Sequence, residues 1–426
     1  MKNLVVCCDG TWKRADDVNV SNIERIARSV SAQTRDGTPQ VVYYSAGVGT
    51  GGSTAERILG GAFGLGLDSA IVDAYRFLAL NYSPGDHIYV FGFSRGGYTA
   101  RSLIGMISAV GLLTSDGVAD GLLSEAMSLY RDPPSGADRG RVISKFAVAP
   151  SPHDRQRTFR AACHRRSEVT IKFLGVFDTV GALGVPGMVR SKYRFHNVRL
   201  TPMVQTARQA LALAERRRIF APCLWGGQHQ DMKQMWFDGV HTDVGGGYAQ
   251  SAIADASLAW MVQQACRHGL GVDVERIRPS LRADPFCVHD SMTLGYRIGN
   301  AIGSLRGSGN EREAPKSPNA QTGPDMFVLG WRHPAPMVDD GRAYDVRIAR
   351  PAFKHLDRAA MGWPANPNVL PWFKEVQGYG GDSQTLVHDV PAWPSPLDEA
   401  AWTAPIGCEC CNVELAKAAA SLGSAD

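Results

Sequence analysis

No stretch of this 426-residue chain is long and apolar enough to span a bilayer. The longest apolar run near the start, Leu4–Cys8, is also too short for the core of a signal peptide. Sec export is therefore not expected, and synthesis in a reducing cytoplasm is. Charge of one sign is scarce too: 45 Lys and Arg against 41 Asp and Glu leave a net charge of +4, which gives no argument for a nucleic-acid partner. The nine cysteines are an odd count without framework spacing, and Cys7 and Cys8 lie inside an apolar run, so a disulfide scaffold is excluded. Cys408, Cys410 and Cys411 form a small cluster, but a C-x-C-C without a second ligand pair reads as incidental, and no metal is expected from it. No internal repeat is visible. What is present, 44% hydrophobic and 20% charged residues, describes an ordinary globular chain with a substantial core and more than one structural unit.

Apolar runs of strand length alternate with segments of helical period, the pattern of an α/β fold with a mostly parallel sheet and helices on both faces. Strands are expected at Leu4–Cys8, Val41–Ser45, from Ile88 to a break at Gly92, Val169–Phe177 and Gln234–Phe237. Helices are expected at Asn22–Ser31, Ser69–Leu80, Tyr98–Leu112, Thr206–Arg218 and Ala256–His268. Residues 115–167 look like a helical insertion, broken by a Pro/Ser/Gly-rich linker at Asp132–Gly136. With the apolar stretches Ile58–Leu67 and Met106–Leu113, that insertion could form a lid or an acyl pocket; core packing explains Met106–Leu113 equally well. The five arginines of His153–Arg166 read as a solvated helix face. Residues 299–324 are polar and Gly/Ser-rich, hence a loop. The division is then 1–298 as the principal domain and 325–426 as a C-terminal extension of unassigned role.

The most informative segment is Gly92-Phe93-Ser94-Arg95-Gly96, which follows a buried-strand run and opens into a helix. A G-x-S-x-G turn in that setting presents a serine at a strand end, with glycines permitting the sharp bend and a helix N-terminus facing the site. A serine hydroxyl is a poor nucleophile at neutral pH. It needs a base, a carboxylate to orient that base, and donors for the developing oxyanion.

Such groups come from loops at the carboxyl ends of successive strands, in the chain order Ser, Asp or Glu, His. Two triads compete. One joins Ser94 to Asp243 and His289, with a helix between acid and base. The other joins Ser94 to Asp178 and His241, each also at a strand end. The first is preferred because acid, helix, histidine is the usual closing order of this architecture. In that case His241 holds the Asp243 loop, and Asp178 caps its own turn. For the oxyanion, the Arg95 N–H is one donor by construction. The Gly10-Thr11 loop is the natural second, braced by Asp9 through backbone hydrogen bonds. A strand followed by Asp-Gly-Thr also suggests an aspartyl-nucleophile phosphatase, but the second Asp that such enzymes carry two residues earlier is Cys7 here.

Cys8-Asp9-Gly10-Thr11-Trp12, Gly92–Arg101, Phe177-Asp178-Thr179-Val180-Gly181 and Trp236–Tyr248 occur in this order. Together they resemble the α/β-hydrolase family that includes the phospholipase effectors of type VI secretion systems, over residues 3 to 295. The resemblance implies an α/β-hydrolase fold with a Ser-Asp-His triad and cleavage of phospholipid acyl esters. It also implies a bacterial setting, no cofactor, contact with a membrane surface, export by a type VI system, and a secretion or immunity partner. Where the family often shows His-Ala…Asp-Glu-Arg, this chain has Gln209-Ala210…Ala214-Glu215-Arg216. The competing functions are a carboxylesterase or depolymerase acting on another ester, and a non-catalytic interaction module.

Overall fold

The computed structural model describes residues 1–10, 19–47, 62–131, 159–180, 200–225, 229–277 and 288–292, with residue 157 and a few short strands after residue 326. Strands β1 (Asn3–Cys8), β2 (Gln40–Ser45), β3 (His87–Phe93), β4 (Ile171–Phe177), β5 (Val204–Ala212) and β6 (Met232–Phe237) form one sheet with β7 (Val346–Ala349) and β8 (Val387–His388). Their spatial order is β8-β7-β6-β5-β4-β3-β1-β2. Every neighbouring pair is parallel. The two last strands come from beyond residue 325, so the sheet continues past the boundary that composition suggested at residue 298.

All six residues of β1 are buried, as a parallel strand covered on both faces requires. Side-chain alternation sends Leu4, Val6 and Cys8 to one face and Val5 and Cys7 to the other. The first face is covered by α2 (Ala62–Asn81), α3 (Arg95–Val110), α4 (Ser115–Ala119) and α5 (Leu123–Arg131), through Tyr75, Leu78, Leu103 and Ile107 among others. The second is covered by α1 (Asn22–Ser29) and α7 (Ala252–Arg267), through Ile23, Ile26, Leu258 and Met261. Each such side chain contributes about 1.5–3 kcal/mol by leaving water. Between β6 and α7 lies one short helix, α6 (His241–Gly245).

One expectation fails. Thr206–Arg218 is rich in Ala, Leu, Glu and Arg, good helix formers, yet Val204–Ala212 is the strand β5 between β4 and β6. Eight of its nine residues are buried. A strand covered on both faces shows no period-2 alternation, and its small alanines fit beneath the covering helices, so tertiary packing overrides helix propensity here. Met106, Ile107, Val110, Leu112 and Leu113 pack in the first core cluster, which makes Met106–Leu113 core rather than a pocket wall. Residues 132–156 of the expected lid insertion 115–167, residues 58–61 of Ile58–Leu67, the loop 299–324 and the cysteines 408, 410 and 411 lie outside the described residues.

Candidate active site

The carboxyl ends of β1, β3, β4 and β6 bring Asp9, Gly10, Ser94, Arg95, Asp178, His241 and Asp243 to one edge of the sheet, and His289 joins them from the segment 288–292 through its contact with Asp243. At the end of β3, Ser94 occupies the left-handed region with φ 56° and ψ −120°. Such a conformation costs a non-glycine residue on the order of 1–3 kcal/mol and persists only where the surroundings enforce it. They do so here. The Ser94 N–H donates to Phe177 O on β4 at 3.0 Å, while Ser94 O already accepts from Tyr98 N in α3. Gly96 is obligatory for this packing: a Cβ there would fall 2.1 Å from Cys8 O and 2.4 Å from Asp9 O. The turn is thus wedged against the end of β1. Ser94 stands at the N-cap of α3, where serine usually bonds the helix N-terminus, yet its hydroxyl makes no cap hydrogen bond.

At the end of β1, Asp9 is almost fully buried and its carboxylate accepts from Gly10 N (2.6 Å), Ser21 Oγ (2.5 Å) and Tyr44 Oη (2.8 Å). Burial and the Asp9 charge push the Tyr44 hydroxyl pKa well up, keeping it a donor. Asp9 is therefore a brace, and Ser21 and Tyr44 are supporting residues that the sequence reading missed. The same geometry revises the role expected of Gly10. Its N–H is committed to Asp9, so it is no free oxyanion donor. It supplies close approach instead, since a Cβ at Gly10 would stand 2.9 Å from Cδ1 of Phe93, the residue before Ser94. Thr11, the other expected donor, lies outside the described residues. Arg95 opens α3, where its N–H belongs to the helix's first turn.

Both expected acid–histidine pairs form. Asp178 follows β4 with φ 35° and is fully buried. It accepts from Ala212 N at 3.0 Å, and its other oxygen lies 2.6 Å from His241 Nδ1. The His241 ring is buried between Phe93 and Phe220, with centroids 4.7 and 4.8 Å away. Burial pushes its pKa down, against the opposing pull of Asp178. Asp243, in α6, accepts from Val240 N (2.9 Å) and His289 N (3.1 Å), and its Oδ1 lies 2.6 Å from His289 Nδ1. Burial lifts the Asp243 carboxyl above its ordinary value, and those donors work against the shift. The His289 side chain keeps 24% of its surface exposed, stacks on Tyr248 at 4.0 Å, and has Nε2 3.3 Å from Gln250 Oε1.

Among the described residues neither imidazole hydrogen-bonds the Ser94 hydroxyl, a looseness common before substrate binds. Also among them, no group of three or more His, Cys, Asp and Glu is placed to hold a metal ion, and no helix is long and apolar enough to cross a membrane. Glu215, fully buried beyond β5, is the residue that sequence reasoning underrated. Its sequence signal was the Glu215-Arg216 pair, which keeps the Glu-Arg of the pattern quoted above while Gln209 and Ala214 depart from it.

A family model described as "T6SS, Phospholipase effector Tle1-like, catalytic domain" matches residues 2–264. Among curated proteins, the uncharacterized protein YEL023C of Saccharomyces cerevisiae is 31% identical over 238 residues, spanning 51% of this chain and 32% of the yeast protein. Among solved structures, an uncharacterized protein from Pseudomonas aeruginosa aligns at 16% identity and a TM-score of 0.39, over 72% of this chain and 51% of that one. The Tle1 effector bound to the VgrG spike of the type 6 secretion system aligns at 19% identity and a TM-score of 0.34, over 58% and 51% respectively. This chain thus spans about a third of the yeast relative and about half of each solved chain. With the family model covering well over half of its length, the chain belongs to the Tle1-like catalytic-domain family of type VI secretion phospholipase effectors.

Proposed function

We propose that this chain is a serine hydrolase that cleaves phospholipid acyl esters, with Ser94 as nucleophile, His289 as base and Asp243 as the carboxylate that orients it. The observation that carries this reading is a strained Ser94 at a strand-to-helix turn, sharing a sheet edge with a histidine whose Nδ1 is held by a buried carboxylate at 2.6 Å. Asp243 fixes the tautomer, so Nε2 of His289 is the atom left to exchange protons. Ser94 Oγ attacks the ester carbonyl as His289 takes its proton. The imidazolium then protonates the leaving alcohol, and water activated by the same base releases the fatty acid. The Arg95 N–H and the Gly10-Thr11 loop stabilise the oxyanion, Thr11 supplying the second donor because Asp9 holds the N–H of Gly10. The scheme uses no metal or organic cofactor.

Exposure favours His289 over His241 as base. A general base must reach substrate and carry a proton mid-reaction. His289 is partly open, whereas His241 is enclosed and its pKa is depressed by burial. Family membership supports a lipid ester as substrate, and with it contact with a membrane surface, export by the type VI system and a secretion partner.

Fatty-acid release from phosphatidylglycerol–phosphatidylethanolamine vesicles should be measured beside hydrolysis of p-nitrophenyl butyrate, for the wild type and Ser94→Ala. Release from vesicles that disappears in Ser94→Ala is the expected result. Turnover of the soluble ester alone would reassign the protein as a carboxylesterase. No turnover and no fluorophosphonate labelling of Ser94 would make it an interaction module.

A further inference from the structure

We infer that Asn22 is a positioning residue: from the start of α1 it fixes α6, the short helix from which either candidate base is presented to Ser94. The inference rests on Ser94 being the nucleophile proposed above, and on neither acid–histidine pair in particular. His241 opens α6, and His289 is held by Asp243, two residues further along it. With only five residues, α6 must find partners outside itself for most of its terminal N–H and C=O groups. A helix so short does not hold a catalytic group in place alone.

Asn22 supplies such a partner from a fully buried position. Its amide nitrogen donates to Val244 O in α6 at 3.0 Å and to Ala254 O in α7 at 2.9 Å. Both amide hydrogens are thereby used, and both go to other elements. Ser257 of α7, also fully buried, adds a hydroxyl donor to Val244 O at 2.7 Å. The side-chain oxygen of Asn22 accepts from Arg25 Nη1 at 3.2 Å, and Arg25 pairs in turn with Asp255 of α7 at 2.6 Å. Carbonyls on one side and a guanidinium on the other leave the amide a single orientation.

The same turn reaches the nucleophile by two more routes. Ser21, beside Asn22, donates to Asp9 at 2.5 Å, and its backbone bridges Gly246, just past α6. Asp9 in turn holds Gly10 N, at the end of the strand against which the Ser94 turn is wedged. On its other side α6 lies against Phe93, the residue before Ser94: a Cβ at Gly245 would fall 2.0 Å from the Phe93 ring. Close packing thus seats α6 on the nucleophile strand, and Asn22 locks it there.

Displacing a catalytic group by about 1 Å can cost on the order of 100-fold in rate. Rates are to be measured on whichever of the two substrates above the wild type turns over, per Ser94 site titrated to completion by a fluorophosphonate. Asn22→Ala should then lower kcat by about 10-fold to 100-fold and leave KM within about 2-fold. Ser257→Ala, which removes one of two donors to Val244 O, should lower kcat by about 5-fold. Ile26→Val loosens α1 one turn further on and should leave kcat per site within about 2-fold, since a merely structural role costs sites rather than rate per site. Wild-type kcat per site in Asn22→Ala would overturn the inference, as would an equal loss in Ile26→Val. Where Asn22→Ala yields no titratable sites, Ser257→Ala decides: wild-type kcat per site there, or no sites there either, overturns it too. Ser94→Ala run alongside separates the failures. Should it turn over like the wild type, or should the wild type turn over neither substrate, the nucleophile assignment falls, and the role of Asn22 with it.

Discussion

The candidate site contains the same chemical unit twice, a carboxylate 2.6 Å from a histidine Nδ1, in two different media. Asp178 and His241 are sealed at the centre of the sheet edge. The acid continues β4 beside the nucleophile strand, and the base is sandwiched by Phe93 and Phe220. Asp243 and His289 lie further out, with the imidazole stacked on Tyr248 and partly open to water. Hydrogen bonding alone does not make a catalytic base; the medium decides what a pair can do. The enclosed pair has desolvation against it whenever its histidine must carry a proton, so it suits a fixed strut. The open pair can cycle, and its carboxylate is preset by two backbone N–H donors.

Asparagine at each histidine in turn gives the sharpest contrast. Its amide nitrogen stands near the position of Nδ1 and can still donate to the carboxylate, while the atom that would accept a proton from Ser94 is gone. His289→Asn should lower kcat for ester hydrolysis by about 10,000-fold, and His241→Asn by no more than about 10-fold. The reverse order would transfer the base role to His241 and the acid role to Asp178.

Removing the acids should show the opposite ranking in stability. Asp178→Ala strands a buried imidazole, removes the side-chain acceptor of the Ala212 N–H, and puts alanine at φ 35°. Breaking a buried pair from one side costs about 3–5 kcal/mol. Asp243→Ala also loses backbone donors, but its histidine can turn to solvent, so the loss should be nearer 1–2 kcal/mol. Urea unfolding midpoints compare the two directly; equal shifts would mean that the two media do not differ as described.

Much of this contrast was legible in the sequence. The turn at Ser94, Asp178, His241 and Asp243 soon after strand ends, and Asp9 as a brace all follow from local patterns, because a strand end followed by Gly, Asp or Ser is a short-range signal. Which acid meets which histidine was also legible, since both expected pairs form. Burial was not legible: nothing local says that His241 lies between Phe93 and Phe220, residues 148 and 21 positions away. The same holds for Glu215, whose donors come from Arg217, His241 and Ser291. The misread strand β5 has the same cause, since burial on both faces erases the alternation from which a strand is recognised.

The smallest expected effect is in the pH dependence of stability. Burial holds the folded-state pKa of His241 below the ordinary histidine value of about 6.5, although Asp178 and Glu215 face it and pull the other way; Arg217 adds to the depression. Between the two pKa values the unfolded chain binds more protons than the folded one, so stability rises with pH there and is lost on acidification below about 6.5. One such group contributes a slope of at most about 1.4 kcal/mol per pH unit. Asp243 has the opposite sign, because its folded pKa is raised: it costs stability as pH rises through the carboxylate range, below the histidine window. His87, His164 and His268 are also depressed by burial and share the sign of His241, so the wild-type curve alone is not diagnostic. The difference between curves is. Melting temperatures from pH 7.5 to 5.0 should fall less steeply in His241→Asn than in wild type. A His241→Asn curve as steep as that of the wild type would mean that burial does not hold this imidazole neutral, and would undo the contrast between the two pairs.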